Sequence, residues 1–136
     1  MNRRIYFAIA AVFIGWSVMD FLIHGVLLKP TYAATAALWR PEAEMKMALM
    51  SVVTLISSSC FVLIYAFWIE SKSTFRAVQY SLIFGLATGI SMGFGSYSYM
   101  PIPASLAWSW FAASLAEALV AGLLTGIIVR TAESDS

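Results

Sequence analysis

Apolar and polar residues follow each other along this chain in blocks. Four long apolar blocks, at about 5–28, 47–69, 75–100 and 104–129, are separated by short stretches that hold most of the Lys, Arg, Glu and Pro. The first block has about 24 residues. As a helix rising 1.5 Å per residue it is ~36 Å long, enough to cross a hydrocarbon core of about 30 Å with some tilt. The pattern predicts an all-α fold: an integral membrane four-helix bundle with antiparallel spans, forming a single transmembrane domain over 1–136. Lys29-Pro30 ends the first span. The stretch from Thr31 to Arg40 reads either as a short interfacial helix or turn, with Tyr32 and Trp39 at headgroup level, or as an ordinary ordered loop. Pro41 suits a first helical position and Glu42 and Glu44 oppose the helix dipole, so the second helix is expected to start near Pro41. Ser73 or Thr74 is the candidate N-cap of the third. Pro101-Ile102-Pro103 breaks the chain between the third and fourth spans and sends it back on itself.

Composition sharpens this picture. The chain is 61% hydrophobic and 11% charged, where soluble domains carry about 25% charged residues; its mean hydropathy is +0.83. A net charge of +1 with no basic run excludes a nucleic-acid partner and leaves the lipid bilayer as the expected surroundings. The single cysteine, Cys60, excludes an intramolecular disulfide or a CxxC knuckle and is expected to be a buried, inert thiol. Arg3-Arg4 and Ala34-Thr35-Ala36 outline a secretory leader, but the apolar stretch between them is too long and contains Asp20 and His24. It is read as a retained span. With the N-terminus in the cytoplasm, Arg3, Arg4, Lys72, Arg76 and Arg130 lie inside and Lys29, Arg40 and Lys46 outside, which favours cytoplasmic N- and C-termini. Tyr6, Trp68, Phe75 and Tyr80 then fall at one interface, and Trp39, Tyr97, Tyr99, Trp108 and Trp110 at the other. No internal repeat is present, which argues against an inverted-repeat transporter.

Within the third block Ser81, Gly85, Gly89 and Gly93 recur every four residues, and within the fourth Ser114, Ala118, Gly122 and Gly126 do the same. Such stripes clear one face of a helix so that another backbone approaches closely. They predict packing of the third helix on the fourth, with a seam between two copies of the chain as the competing use. Ser51, Thr54 and Ser58 share a face of the second helix, where they bond their own carbonyls or mark its protein-facing side.

Three ionisable groups fall well inside a span: Asp20, His24 and Glu117. Trp16, Asp20 and His24 are spaced by four and form one helical stripe. A charge at such depth costs roughly 2.5–3.5 kcal/mol on insertion scales unless protein, water or an ion meets it. Glu117, at the middle of its span, continues a line through Ser109 and Ala113. The trio is expected to form one buried polar site, and three uses compete: fixing helix packing, handling protons or a cationic substrate, or binding a metal ion through His24, Asp20 and Glu117. Copper would draw instead on Met19, Met45, Met47, Met50, Met92 and Met100, which lie toward one side. No Ser-His-Asp spacing, nucleotide loop or HExxH motif is present, so an enzyme is not expected.

The stretch Trp16 to Leu28, with Pro30-Thr31-Tyr32 and Leu38-Trp39-Arg40-Pro41 after it, resembles small bacterial four-span proteins of families without an assigned function. The resemblance covers the first span and the following loop, implies a bacterial inner membrane, and implies no activity. Four spans with an intramembrane Glu are also similar to the small multidrug exporters. Their acid lies in the first helix, whereas here Glu117 is in the fourth and Asp20 in the first. The expected function is transport or ion and proton handling. The alternative is a non-catalytic accessory subunit of a larger membrane complex or homo-oligomer, docked through its Gly and Ser faces. Threading is testable directly: on a Cys60-free background, Ser134→Cys should stay unlabelled by an impermeant thiol reagent in intact cells, and external labelling would reverse the orientation.

Overall fold

The computed structural model describes residues 2–130; Ser134, the C-terminal labelling position, lies outside them. Among the described residues the secondary structure is all helical. Helices α1 (Arg3–Leu22), α2 (Lys29–Ala34), α3 (Met47–Trp68), α4 (Thr74–Ile90), α5 (Ser96–Tyr99) and α6 (Ala104–Ile128) follow in order. A π turn at Ile23–Leu27 extends α1, and another at Ser91–Gly95 joins α4 to α5. Four helical segments, Arg3–Leu27, Met47–Trp68, Thr74–Tyr99 and Ala104–Ile128, are long and apolar enough to cross a membrane.

The helix ends follow local chemistry. Ser73 caps α4, its hydroxyl accepting a hydrogen bond from the Arg76 amide at 3.1 Å. Pro103 precedes α6 in an extended conformation, so the chain turns between Tyr99 and Ala104. Three expectations need correction. Pro30 does not simply end the first span; it lies in the first turn of α2, where its missing N–H costs nothing. The second long helix starts at Met47 and not near Pro41. Glu42–Glu44 form a 3-10 turn, and Met45 at ψ 135° is extended, which breaks the run before a helix grows. Cys60 is exposed, because the buried side of α3 is the one that carries Ser58, Phe61, Val62, Tyr65 and Ala66.

The tightest packing joins α4 to α6. A methyl placed on Gly85 would meet the Ala118 Cβ at 2.7 Å, and one on Gly89 would meet the Phe111 carbonyl at 3.1 Å and the Ser114 Cβ at 3.2 Å. Gly93 faces the Ala107 carbonyl, Gly122 faces Ser81, and Gly126 lies against Thr74 and Ala77. Partner numbers fall along α6 as they rise along α4. The two small-residue stripes meet within one chain, so Gly89 lines an internal seam and not an outer docking face.

On its other side α6 meets α1, whose buried residues Ile5, Ala8, Val12 and Trp16 recur every three or four positions. Trp16 packs edge-on to Phe61 of α3, with ring centroids 5.7 Å apart. Aromatics hold α3 to α4: the Tyr80 hydroxyl donates to the Phe61 carbonyl at 3.0 Å, and the Tyr65 hydroxyl donates to the Ser73 carbonyl at 2.9 Å. The first half of α3 makes no such contact, and its residues 47–57 are exposed or half-buried. Ser51, Thr54 and Ser58 all return their hydroxyls to helix carbonyls. Of the three only Ser58 is buried, so they do not mark one protein-facing side.

Two apolar cores result. The larger gathers Ile5, Ala8, Val12, Trp16, Phe61 and Tyr65 with Ala77 and Ala121. The smaller gathers Ile102, Leu106, Ala107 and Trp110, covered by Leu28, Tyr32 and Trp39. The seam supplies a test. Gly89→Leu should destabilise the fold by about 1–3 kcal/mol through overpacking, whereas Gly95→Ala, whose methyl would meet nothing nearer than 3.8 Å, should melt like the parent in detergent.

Candidate functional site

Between the two cores lies a layer of polar side chains from α1, α2 and α6. On α1 the larger core ends at Trp16 and the smaller begins at Leu28; on α6 the corresponding gap runs from Trp110 to Ala121. Asp20, His24 and Glu117 all fall in these gaps. The packing of α1 on α6 places them. The Trp16 indole N–H donates to the Glu117 backbone carbonyl at 2.8 Å, which fixes the relative height of the two helices. One turn further along α1, Asp20 then comes beside the Glu117 side chain, close enough for its charge to act on it. Glu117 Oε1 is buried and has no hydrogen-bond partner.

His24 is the next member. Its Nε2 lies 3.9 Å from Asp20 Oδ1, an electrostatic contact too long for a hydrogen bond. Its Nδ1 meets the Tyr32 hydroxyl at 2.5 Å. That hydroxyl also accepts a hydrogen bond from the Trp110 indole N–H at 2.8 Å. With an indole donor on one side, the single phenolic proton is left for His24 Nδ1. The ring proton of neutral His24 is thereby placed on Nε2, facing Asp20. Burial pushes the Tyr32 hydroxyl above its ordinary pKa; the Trp110 hydrogen bond pulls it down, and the nearby Asp20 charge pushes it up again. Tyr32 therefore stays a donor at neutral pH. Trp39 closes this end: its ring centroid is 5.5 Å from that of Tyr32 and 6.0 Å from that of Trp110, and its indole N–H donates to Thr35 Oγ1 at 2.8 Å.

The layer differs from its sequence expectation in two respects. It is not fully buried, since the Asp20 and His24 side chains are 39% and 35% exposed. The close packing of α1 stops at Trp16, its last buried residue, and the helix beyond it is partly uncovered. Among the described residues no three His, Cys, Asp or Glu side chains gather as a ligand set. Both His24 ring nitrogens face protein groups, and Met45, Met47, Met50 and Met92 are exposed on the outside of the chain. Finally, Tyr32 and Trp39 turn inward against Trp110. Sequence reasoning missed Tyr32 and Trp110 as site residues. Tyr32 is eight residues from His24 across a proline, a faint signal for a chain that folds back; nothing in the sequence marks a contact between residues 78 positions apart.

A groove adjoins the layer. Ile23, Leu27 and Leu28 form one wall and Ala112, Ala113 and Ala116 the other, with Ser109 its one hydroxyl, and its volume is about 400 Å³. Ser109 and Ala113 are the residues that lead along α6 to Glu117.

Comparisons with protein-family models, with curated proteins and with solved structures give no match.

The hydrogen-bond directions are testable. Tyr32→Phe removes the proton held by His24 Nδ1 and leaves the Trp110 N–H without its acceptor, at a cost of about 1–3 kcal/mol. In ¹⁵N NMR the parent's neutral His24 should be protonated on Nε2, and the variant's ring should become a mixture of both tautomers. An unchanged ring spectrum would mean that Tyr32 does not set the tautomer.

Proposed function

We propose that this is a small multi-pass protein of the bacterial inner membrane, a bundle of four antiparallel spans with cytoplasmic termini, that moves protons or a small cation through Asp20, His24 and Glu117. The observation that supports this reading is the succession Glu117, Asp20, His24 and Tyr32, in which His24 is bonded to Tyr32 and lies 3.9 Å from Asp20. It runs from the middle of the fourth span to α2, outside the first. In a proton transfer, Asp20 must first close the 3.9 Å gap to His24; Tyr32 then gives its phenolic proton to His24 Nδ1 while the Nε2 proton passes to Asp20, and Tyr32 is reprotonated from the aqueous side. Asp20 then exchanges with Glu117. After each passage His24 holds its proton on Nδ1, so a ring flip or a return transfer must reset it. Toward the other face the larger core is closed by Trp16, Phe61, Tyr65 and Tyr80, so release on that side requires a rearrangement.

A second reading, a non-catalytic accessory or assembly subunit, is favoured by one observation: residues 47–57 of α3 include no buried side chain. A partner seated there would explain a long helix packed along half its length.

The two readings diverge in one experiment. In liposomes carrying the purified protein, a diffusion potential should drive proton uptake above that of protein-free liposomes. Asp20→Asn or Glu117→Gln should reduce it at least tenfold without changing the melting temperature by more than a few degrees. An accessory subunit would instead give no uptake, tolerate both substitutions, and lose a larger assembly in mild detergent on Val53→Trp.

A further inference from the structure

We propose that the end of the molecule where α1 and α4 begin and α3 and α6 finish binds anionic phospholipid, with the phosphodiester seated on Arg130 and the arginines to either side of it. The sequence has no basic run; the fold assembles the cluster. Ile5 of α1, Ala77 of α4 and Val129 after α6 are buried in one core, with Ile69 after α3 packed against it. Their charged neighbours in the chain, Arg3, Arg4, Lys72, Arg76 and Arg130, therefore ring the outer end of that core. On α6, Gly126 lies against Thr74 and Ala77, and the Thr74 hydroxyl donates to the Gly126 carbonyl at 3.3 Å. Because α6 meets α1 on its other side, Arg130 comes between the Arg3–Arg4 pair and Arg76. All four arginines are exposed, and among the described residues none of them is in an ion pair. Arg76 donates to the neutral Gln79 side chain at 3.2 Å, which leaves its charge uncompensated. Lys72 donates to the Ile69 carbonyl at 2.8 Å, so its charge is held at the same end. Glu70 lies among these cations, and Glu133 and Asp135 follow Arg130 in the sequence; the cations still outnumber the acids. The opposite end sets Lys29, Arg40 and Lys46 against Glu42 and Glu44.

Two long helices start at this end and two finish there, so their dipoles oppose one another and the side chains set the field. Apart from Lys72 the cations are arginines, whose planar forks pair two N–H groups with two phosphate oxygens and stay charged at any working pH. A bias in membrane sidedness would be met by cations anywhere in the loops. It does not call for exposed, unpaired arginines from three helices around one core. The neighbouring surface decides between a lipid and a soluble anion. Tyr6 and Phe7 lie one helical turn from Arg3, Phe75 precedes Arg76, and Trp68 ends α3; these side chains are 58%, 68%, 69% and 73% exposed. Aromatic rings at such a boundary sit at headgroup level, where they cover the glycerol and the first carbons of the acyl chains. Inorganic phosphate would leave them uncovered. A zwitterionic headgroup brings a cation of its own, which the arginines repel. None of these residues belongs to the Asp20–Glu117 layer, so the proposal stands apart from the proton reading.

The test titrates the full chain, purified in dodecyl maltoside, with dioleoyl phosphatidylglycerol and, in a matched series, with dioleoyl phosphatidylcholine. Bound lipid is read by native mass spectrometry and stabilisation by the melting temperature. The parent should bind phosphatidylglycerol about tenfold more tightly than phosphatidylcholine, and added salt should narrow the difference. Phosphatidylglycerol should raise the melting temperature, whereas the same concentration of inorganic phosphate should leave it unchanged. Arg130→Gln should lower the preference about fivefold, and Arg130→Lys, which keeps the charge and loses the fork, should lower it less. Joint replacement of Arg3, Arg4, Arg76 and Arg130 by Gln should abolish it; these side chains are exposed, so the lipid-free protein should melt like the parent. If the fourfold variant melts lower, Arg130→Gln decides alone. At the opposite end, Lys29→Gln with Arg40→Gln should bind like the parent. Equal binding of the two lipids by the parent, a preference that survives Arg130→Gln or the fourfold replacement, or one that is lost on Lys29→Gln with Arg40→Gln would overturn the proposal. Equal stabilisation by inorganic phosphate would mark an anion site without a lipid and would overturn it too.

Discussion

A carboxyl group in the middle of a membrane span must be met by something other than hydrocarbon, and much of this structure follows from how Glu117 is met. Its helix cannot slide against the first span, because the Trp16 indole bonds the Glu117 backbone carbonyl at 2.8 Å. A helical carbonyl has a second lone pair for such a donor, so the bond costs α6 none of its own ladder. With that height fixed, Asp20 must arrive beside the Glu117 side chain and His24 must follow one turn later. The two apolar cores are separated because this layer passes between them. A core that ran without interruption from Trp16 to Leu28 would have left both carboxyls facing apolar side chains.

The seam between α4 and α6 makes that arrangement rigid. Lipid offers no hydrophobic drive for helices to associate, so close van der Waals contact must hold them. Gly85, Gly89 and Gly93 on one side and Gly122 and Gly126 on the other remove the side chains that would keep the backbones apart. With one face committed to α4, α6 presents the adjoining face, Ser109, Ala113, Ala116 and Glu117, to the first span. The alanines of that face are too small to fill the space to Ile23 and Leu27, and the groove is the consequence. The bulky contacts lie elsewhere, in the aromatic cluster of Phe61, Tyr65, Tyr80 and Phe84 that holds α3 to α4.

What was legible in the sequence is what depends on residues near one another. Four apolar blocks gave four long helices with ends within a few residues of those expected, because hydropathy and helix length are local. Ser73 was readable as a cap because its partner, the Arg76 amide, is three residues away. The small-residue stripes were visible as stripes, yet whether they met within one chain required the fold. Pro41 misled because proline and two acids are a sound helix start only if the next residues continue the helix, and Met45 does not. The Asp20–His24 stripe was readable from its spacing. Tyr32 and Trp110 were not, since the hydroxyl that joins them depends on a chain reversal after Leu28 and on the depth of α6.

That reversal depends on the π turn. In an α-helix residues four apart are offset by about 40°, so a stripe at 16, 20 and 24 drifts steadily around the axis. At Ile23 the winding widens; the Leu28 amide bonds the Ile23 carbonyl at 2.8 Å, five residues back. The wider winding re-aims the chain beyond His24. It also ends the helix at Leu28, where the short α2 begins with Pro30 in its first turn and brings Tyr32 back over the histidine. A second π turn, Ser91–Gly95, follows α4 where Gly93 packs against Ala107 and Phe111, three residues before and one residue after Trp110 on α6. The two irregular turns thus fall at the same end of the molecule, around the tryptophan that holds Tyr32 in place. Regular helices would carry the chain across the bilayer equally well. The departures from regularity are what bring His24, Tyr32 and Trp110 together.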